Sequence, residues 1–319
     1  MTPITTQKTA DRKLSDKTLR GLACPECRSA LRNDGAVLSC TACPKHYPVK
    51  DGIPCFAEMD PNAAPFKEEY FEFWFERENT HFWHLARKEV IYRFCEPYFK
   101  KAFSDISKIS AVEIGVGNGS VSTEFVKHGV PMEGADLFYS SLQFCRKRLD
   151  IPLYEADLLK LPFKEKYDFV GIYDIIEHIE DDRLALKNLY NALKPGGLVN
   201  ITVPACKFLW SKFDELDHKR RYSKKELIDK VREAGFKIHR TSFFVFFLFP
   251  VVYIVRKLQT YPSDTKLEQV KEVRVVPGIN EIFLAIFRLE KYLIRVMNFP
   301  IGSSLIMMAE RPKDQAGTN

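Results

Sequence analysis

The stretch Val112-Glu113-Ile114-Gly115-Val116-Gly117-Asn118-Gly119-Ser120 sets glycine at three alternate positions, directly after an apolar run and directly before the amphipathic SVSTEFVKHG. A strand that ends in alternating glycines and passes into a helix gives a tight turn whose backbone a ligand can approach without meeting a Cβ. Around this loop, short apolar runs alternate with amphipathic stretches, which is the pattern of an α/β fold. The runs at 109–116, 131–137, 153–158, 167–174 and 197–205 read as strands. Between the last two, apolar residues at 184, 186, 189, 190 and 193 mark a helix that Pro195-Gly196-Gly197 should stop. Ser223 and Glu226 form a capping box for a later helix, with Gly235 as its C′ residue.

The loop's neighbours decide what it cradles. No Gly-Lys-Ser/Thr follows, so it is not a P-loop, and Ser120 breaks the dinucleotide fingerprint. Glu113 would also repel a pyrophosphate. S-adenosylmethionine (SAM) carries no phosphate but has a sulfonium and an ammonium, to which a carboxylate is an asset. Three further acids fall at strand ends, where ligands gather in open α/β sheets. Asp136 can accept from ribose hydroxyls, and Asp157 from an adenine amino group, with Leu158 offering an apolar edge. Asp174 ends the fourth strand beside the space where an acceptor must meet the methyl group. Any one of these acids has an ordinary reading as a cap or loop residue; all of them at strand ends do not. The candidate cofactor set is Glu113, Gly115, Gly117, Gly119, Asp136, Asp157, Leu158 and Asp174.

A second signal lies upstream. Cys24, Cys27, Cys40 and Cys43 form two C-x2-C knuckles around a stretch with an Asn33-Asp34-Gly35 turn, the spacing of a hairpin that gathers four thiolates for zinc, with a redox pair or a site that has lost its metal as the alternatives. A module this small buries little core, so a structural zinc would supply much of its folding energy. His46 reads as a surface residue. The segment LACPECRSAL…LSCTACPKHYPVKDGIPCF resembles the Trm112-like zinc ribbon over residues 21–57. That resemblance implies an activator or appendage of methyltransferases, with no chemistry of its own.

Residues 109–240 in turn resemble class I SAM-dependent methyltransferases, through VEIGVGNGS, GADL, EADL, YDFVGIYDIIEHI and LKPGGLVNITVP. The fold this implies is a Rossmann-like α/β sheet with helices on both faces. The chain is also similar to bacterial methyltransferases with HFW-x2-AR before the core and LWS-x2-D-x3-H-x-RRYS after the fifth strand, here His81–Arg87 and LWSKFDELDHKRRYS. If the acceptor is a hydroxyl, a general base helps, and His178 and His218 are the candidates, each with an alternative reading as a surface or cap histidine. Arg220, Arg221 and Tyr222 can hold an anionic group or form a solvated run ahead of the capped helix. The 81–87 aromatics read as a helix packed on the sheet, or as a cover over the cofactor.

These readings divide the chain into a tail (1–20), the ribbon (21–58), a linker with N-terminal helices (59–108), the methyltransferase domain (109–311) and a tail (312–319). The apolar stretch TSFFVFFLFPVVYIVRKLQ and the later INEIFLAIFRLEKYLIRVMNFP form a hydrophobic helical insertion, about 245–300, before the last strand. Its longest apolar run is too short to span a membrane. It either packs as a helical pair on the domain or between two copies, or lies at a membrane interface as a cover for a lipid-like acceptor. Residues 1–20 carry no secretory signal, so the chain is expected in the cytoplasm, with its membrane's inner face a further option. The net charge of +6 permits an acidic partner without demanding one. The expected activity is O-methylation of a hydrophobic or membrane-linked small molecule of isoprenoid, quinone-like or lipid-linked saccharide type. Two alternatives stand beside it: an RNA or protein methyltransferase that grips its substrate with the ribbon, and a non-catalytic SAM-fold scaffold. Nucleic acid is the weaker partner, because neither an Asn-Pro-Pro-Tyr motif nor a Pro-Cys pair occurs in the core.

Overall fold

The structure, a computed structural model, describes residues 14–58, 68–215, 218–258 and 275–313. The expected tails lie wholly or largely outside the described residues, as do 59–67 of the linker segment and 259–274 of the insertion.

The knuckles fold as the sequence spacing requires. Strands β1 (Leu31–Asn33), β2 (Val37–Cys40), β3 (His46–Lys50) and β4 (Ile53–Pro54) form an antiparallel sheet in sequential order. The β1–β2 turn is closed by the Gly35 N–H donating to Asn33 Oδ1 at 3.0 Å.

The larger sheet comprises β5 (Ala111–Ile114), β6 (Met132–Asp136), β7 (Leu153–Glu155), β8 (Tyr167–Tyr173), β9 (Leu193–Pro204), β10 (Lys237–Phe244) and β11 (Ser304–Glu310). Their order is β10-β11-β9-β8-β5-β6-β7. The first five strands run parallel, and β11 inserts antiparallel between β9 and β10. Chain order reverses where β5 pairs with both β6 and β8, which opens a crevice at the strands' carboxyl ends. Strand residues alternate between two cores: Val170, Ile172, Val199 and Ile201 belong to one, Phe169, Tyr173, Leu198 and Ile306 to the other. Burial on both faces explains why these strands read as near-continuous apolar runs.

The helix before β9 ends earlier than its punctuation suggests. It spans Asp182–Ala192, and Lys194-Pro195-Gly196-Gly197 lies inside β9. The ladder shifts register there, between the pairs Tyr167–Leu193 and Phe169–Leu198. That irregularity accommodates Pro195, which has no N–H to give. The capped helix runs Lys224–Glu233, with the Glu226 N–H donating to Ser223 Oγ and Gly235 in the left-handed region.

The ribbon is sewn to the exposed edge of the sheet. Cys55 bridges Glu155 in parallel, and the Phe56 N–H donates to Glu155 O at 2.7 Å. The Arg28 guanidinium donates to Leu161 O and Phe163 O at 2.5 and 2.7 Å. Leu22, Leu38, Tyr47 and Phe56 share one core with Tyr154, Leu161 and Phe163. Capping β7 in this way removes an edge that would otherwise invite pairing with other chains.

Between β10 and β11 the chain passes through helices Phe249–Leu258 and Ile279–Leu293. The second packs on the Phe82–Ala102 helix through Phe283 against Phe82 and Phe287 against Trp83, with Arg288 and Lys291 both bonded to Glu89. Among the described residues, no helix is long and apolar enough to cross a membrane.

Candidate functional site

All three loop glycines have positive φ, at +74° (Gly115), +51° (Gly117) and +79° (Gly119), which L side chains rarely adopt. Their surroundings differ. A Cβ on Gly115 would lie 2.4 Å from Ile175, and one on Gly119 would lie 2.8 Å from Cys145 Sγ. A Cβ on Gly117 would meet nothing within 4 Å. Two glycines thus admit the loop's own packing, and the middle one faces open space.

Asp136 fixes that middle glycine. Its Oδ2 accepts the Gly117 N–H at 2.8 Å, and its Oδ1 accepts the Phe138 N–H at 3.0 Å. Burial pushes the Asp136 carboxyl up, while the N–H bonds of Phe138 and Gly117 oppose the rise.

A cavity of about 150 Å³ adjoins the loop, lined by Glu113, Gly115, Val116, Gly117, Ser120, Val121 and Tyr173 from the sheet side and by Glu78, His84 and Arg87 from the N-terminal helices. Glu113 is 3% exposed and accepts a hydrogen bond from Ser122 Oγ at 2.5 Å. Burial raises its carboxyl to about 8. Burial, and then the Arg87 charge, push His84 down to about 3, so its imidazole is neutral. The Glu68–Arg77 helix lies over the loop: Asn118 Nδ2 donates to Phe71 O at 3.1 Å, and Phe71 packs against Phe138 and Phe144. Three buried polar atoms, Arg87 Nε, Tyr173 Oη and Asn118 Oδ1, have no partner. Orphaned polar atoms beside an open cradle suit a polar ligand better than a packed core.

Asp157 caps the Leu158–Lys160 turn, accepting the Leu159 N–H at 2.8 Å, and Leu158 is buried beside it. Asp174 has φ +57° and bonds Arg87 at 2.7 Å and Thr202 Oγ1 at 3.0 Å. Of the 81–87 motif, His84 and Arg87 line the cavity, while Phe82 and Trp83 pack on the insertion.

His178 and His218, distant in sequence, come together with ring centroids 4.8 Å apart, and their ligand atoms and that of Glu177 all lie within 4.8 Å of one another. Glu177 is fully buried with neither carboxylate oxygen partnered; burial first, then the Asp174 charge, raise it to about 8. His218 Nδ1 lies 2.8 Å from Asp214 Oδ1. Asp214, fully buried, also accepts from Arg221, Arg256 and Ser211. Burial works to raise Asp214, but the His218 hydrogen bond and the Arg256 and Arg221 charges outweigh it and hold it below the usual carboxylate range.

The basic run after His218 is spent internally. Arg221 is 2% exposed and bonds Asp214, Ala205 O and Ser303 O. Tyr222 is buried with its hydroxyl donating to Asp182, and Arg220 pairs with the same carboxylate. As placed, Arg221 and Tyr222 offer an anion no free face.

In the ribbon, the Cys24–Cys43, Cys27–Cys40 and Cys27–Cys43 sulfurs are 3.7, 3.4 and 3.6 Å apart, and all four lie within 4.8 Å of one another. Zinc at about 2.3 Å from each sulfur would set tetrahedral edges of about 3.8 Å, so the set fits that ion. His46 is not among these ligands; its Nδ1 sits 3.0 Å from Ser39 Oγ.

Sequence reasoning missed Glu78, His84 and Tyr173 in the cavity wall, and Asp214 and Arg256 behind His218. Arg87 and Asp214 did stand in motifs, but nothing local shows where those motifs fold.

Comparison with known proteins follows this geometry. Residues 112–201 match the family described as Methyltransferase domain, and residues 15–52 match Trm112p-like protein. The ubiquinone biosynthesis O-methyltransferase of Rickettsia conorii is 26% identical over 112 residues, covering 34% of this chain and 39% of that one. The demethylmenaquinone methyltransferase of Streptomyces griseus is 33% identical over 107 residues, covering 32% and 45%. The chain thus spans less than half the length of these curated relatives. A structure of the Haloferax volcanii Trm112 methyltransferase activator with a methyltransferase aligns at TM-score 0.50 and 17% identity, covering 78% of this chain and 99% of that one. A Galdieria sulphuraria protein provisionally described as a sarcosine dimethylglycine methyltransferase aligns at TM-score 0.51 and 16% identity, covering 76% and 97%. These structural likenesses establish the fold.

Proposed function

We propose that this chain, a class I SAM-dependent methyltransferase fold joined to a Trm112-like ribbon, transfers the methyl group of SAM to an oxygen of a hydrophobic small molecule. The observation that carries this reading is the cradle at Gly117, open to a cavity and gripped from behind by Asp136. Bound SAM would supply a methyl group on a sulfonium, an excellent leaving group, so alignment does most of the catalytic work.

The chain's residues divide the remaining tasks. Asp136 takes the ribose hydroxyls, and Asp157 with Leu158 takes the adenine. Glu113 and the orphaned atoms of Arg87 and Tyr173 face the amino-acid end. Asp174, braced by Arg87 and Thr202, borders the acceptor space. An ionised Asp214 can only accept, so His218 Nδ1 carries the hydrogen and Nε2 is left to take a proton from an acceptor hydroxyl. His178, beside it, is the second candidate base. Zinc in the four-thiolate set would hold the ribbon against β7.

A quinone-like, isoprenoid or lipid-linked saccharide acceptor is favoured by the partial likeness to the Rickettsia and Streptomyces enzymes, which are named for ubiquinone biosynthesis and demethylmenaquinone. Such an acceptor would bring the chain to the inner face of the membrane. The RNA or protein reading is weaker because the ribbon docks on edge strand β7, whereas Asp174, His178 and His218 follow β8 and β9 in the middle of the sheet.

Titration calorimetry with SAM tests the cofactor site. Micromolar binding is expected, weakened at least about tenfold by Asp136→Ala through loss of its charge-assisted hydrogen bonds. Absence of binding by the folded parent would favour the non-catalytic scaffold.

A further inference from the structure

The Ile279–Leu293 helix breaks the usual rule for a helix on a protein surface. One side carries Phe287 and Glu290, both buried, and packs on the Phe82–Ala102 helix. Its opposite side should be polar. Instead Ile282, Ala285, Leu289, Tyr292 and, just beyond the helix, Val296 recur at helical spacing, and all are exposed. Leu289 is 53%, Tyr292 61% and Val296 82% exposed. A helix apolar on both sides is stable in water only if something covers the second side.

The first insertion helix shows the same excess. Phe249–Leu258 has no buried residue, and Ile254 and Leu258 are 54% and 76% exposed. Among the described residues, fifteen of the twenty exposed large hydrophobic side chains fall between Phe247 and Ile301. The second helix is tied to the segment just before the first, where buried Glu290 accepts the N–H groups of Val245 and Phe247 at 2.7 and 3.0 Å.

Charge selects the occupant. In the described part of this segment the cations are Lys257, Arg288, Lys291 and Arg295, with Arg256 already paired to Asp214, while the acids are Glu281 and the buried Glu290. Arg288, Lys291 and Arg295 share two carboxylates, Glu89 and Glu96, so positive charge is left over along the flank. A second copy facing this surface about a two-fold axis would set that charge against itself. Long cationic side chains flanking an apolar stripe match an anionic bilayer surface, with stems in the acyl boundary and heads among the phosphates.

The geometry points to the Phe249–Leu258 and Ile279–Leu293 helices as a docking face for anionic lipid bilayers, lying in the interface without crossing it. The purpose of this face rests on the proposed apolar acceptor, which would be drawn from the same membrane. Arg256 joins this region to the acceptor side, since it bonds Asp214, the partner of His218.

The test is co-sedimentation of the full chain with vesicles of phosphatidylcholine alone and of phosphatidylcholine with phosphatidylglycerol. No SAM or acceptor is present, so failure of the methyl-transfer reading cannot produce a negative result here. Binding is expected to the anionic vesicles, to weaken with salt, and to fall at least about tenfold in Leu289→Glu/Val296→Glu. Leu184→Glu, on an exposed apolar residue of another helix, should bind like the parent. Unchanged thermal midpoints would show that the variants fold. No binding to either vesicle, or full binding by the double variant, overturns the proposal. So does a dimer in light scattering that the double variant abolishes while neither protein binds vesicles.

Discussion

Glu113 is the most exacting test of the cavity, because its environment leaves a measurable mark on folding. The residue is 3% exposed, and burial raises its carboxyl from the ordinary 4.5 to about 8. Between those two values the folded chain keeps a proton that the unfolded chain has released. Stability must therefore fall as pH rises through this window, the reverse of the usual salt-bridged carboxylate. Each pKa unit corresponds to about 1.4 kcal/mol, so a carboxyl ionised only in the unfolded state loses the fold about that much per pH unit. From pH 6 to pH 8 the accumulated loss is about 2 kcal/mol, since the folded carboxyl itself begins to ionise near 8. His81 and His84, depressed by burial to about 4 and about 3, act in the opposite sense as pH falls below 6.5, while Glu177 and Glu290, raised by burial to about 8 and about 7, act in the same sense as Glu113, so only the difference between parent and variant isolates it. Glu113→Gln retains an oxygen for the Ser122 hydroxyl and removes the titration. Urea denaturation of parent and variant at pH 6, 7 and 8 should show the variant gaining on the parent by about 2 kcal/mol across the range. A constant difference between the two would mean that Glu113 is ionised in the fold at neutral pH, and the reasoning from burial would fail.

Other perturbations reach different parts of the account. Cys27→Ser, which removes one of the four clustered thiolates, should drop zinc below one ion per chain by atomic emission and destabilise the ribbon by several kcal/mol. Parent protein with well under one zinc per chain would refute the metal site. Ile53 of the ribbon is fully buried against Val116 of the glycine loop and Leu142, Cys145 and Leu153. Ile53→Ala should therefore cost about 2–4 kcal/mol in urea denaturation and weaken SAM binding as well; unchanged SAM affinity would show that the ribbon does not brace the loop. Asp214→Asn leaves Arg221 and Arg256 without their shared charge and should cost about 3 kcal/mol, so a loss under about 1 kcal/mol would count against the buried network.

What could be read in advance follows from the range of the interactions involved. Strand ends, the glycine turn and the knuckles are local features, written in spacing and in residues with special backbone freedom. The acids at 113, 136, 157 and 174 are found in or at the ends of β5 to β8 for that reason. The far wall of the cavity is not local. Glu78, His84 and Arg87 arrive from helices outside the alternating core, and only tertiary packing brings them to the loop. The basic run 220–222 shows a related limit: it looks solvated in sequence, but Asp214 and Asp182 draw Arg221 and Tyr222 inward, while Arg220 pairs with Asp182 nearer the surface. Pro195-Gly196-Gly197 signalled a stop that came a few residues early, because pairing of Leu193 with Tyr167 recruits the segment into β9. The insertion was visible as apolar composition, yet the double-sided apolar helix emerges only once Phe287 and Glu290 are seen buried behind exposed Leu289.

The central claim is methyl transfer from SAM to an apolar small molecule, and it is tested most directly by incubating the purified chain with methyl-tritiated SAM and a total extract of the source cells. The products are divided among organic solvent, RNA and protein. The account predicts label in the organic phase that disappears with Asp136→Ala. Label confined to RNA or protein, or no transfer to any fraction by a chain that binds SAM, would contradict it.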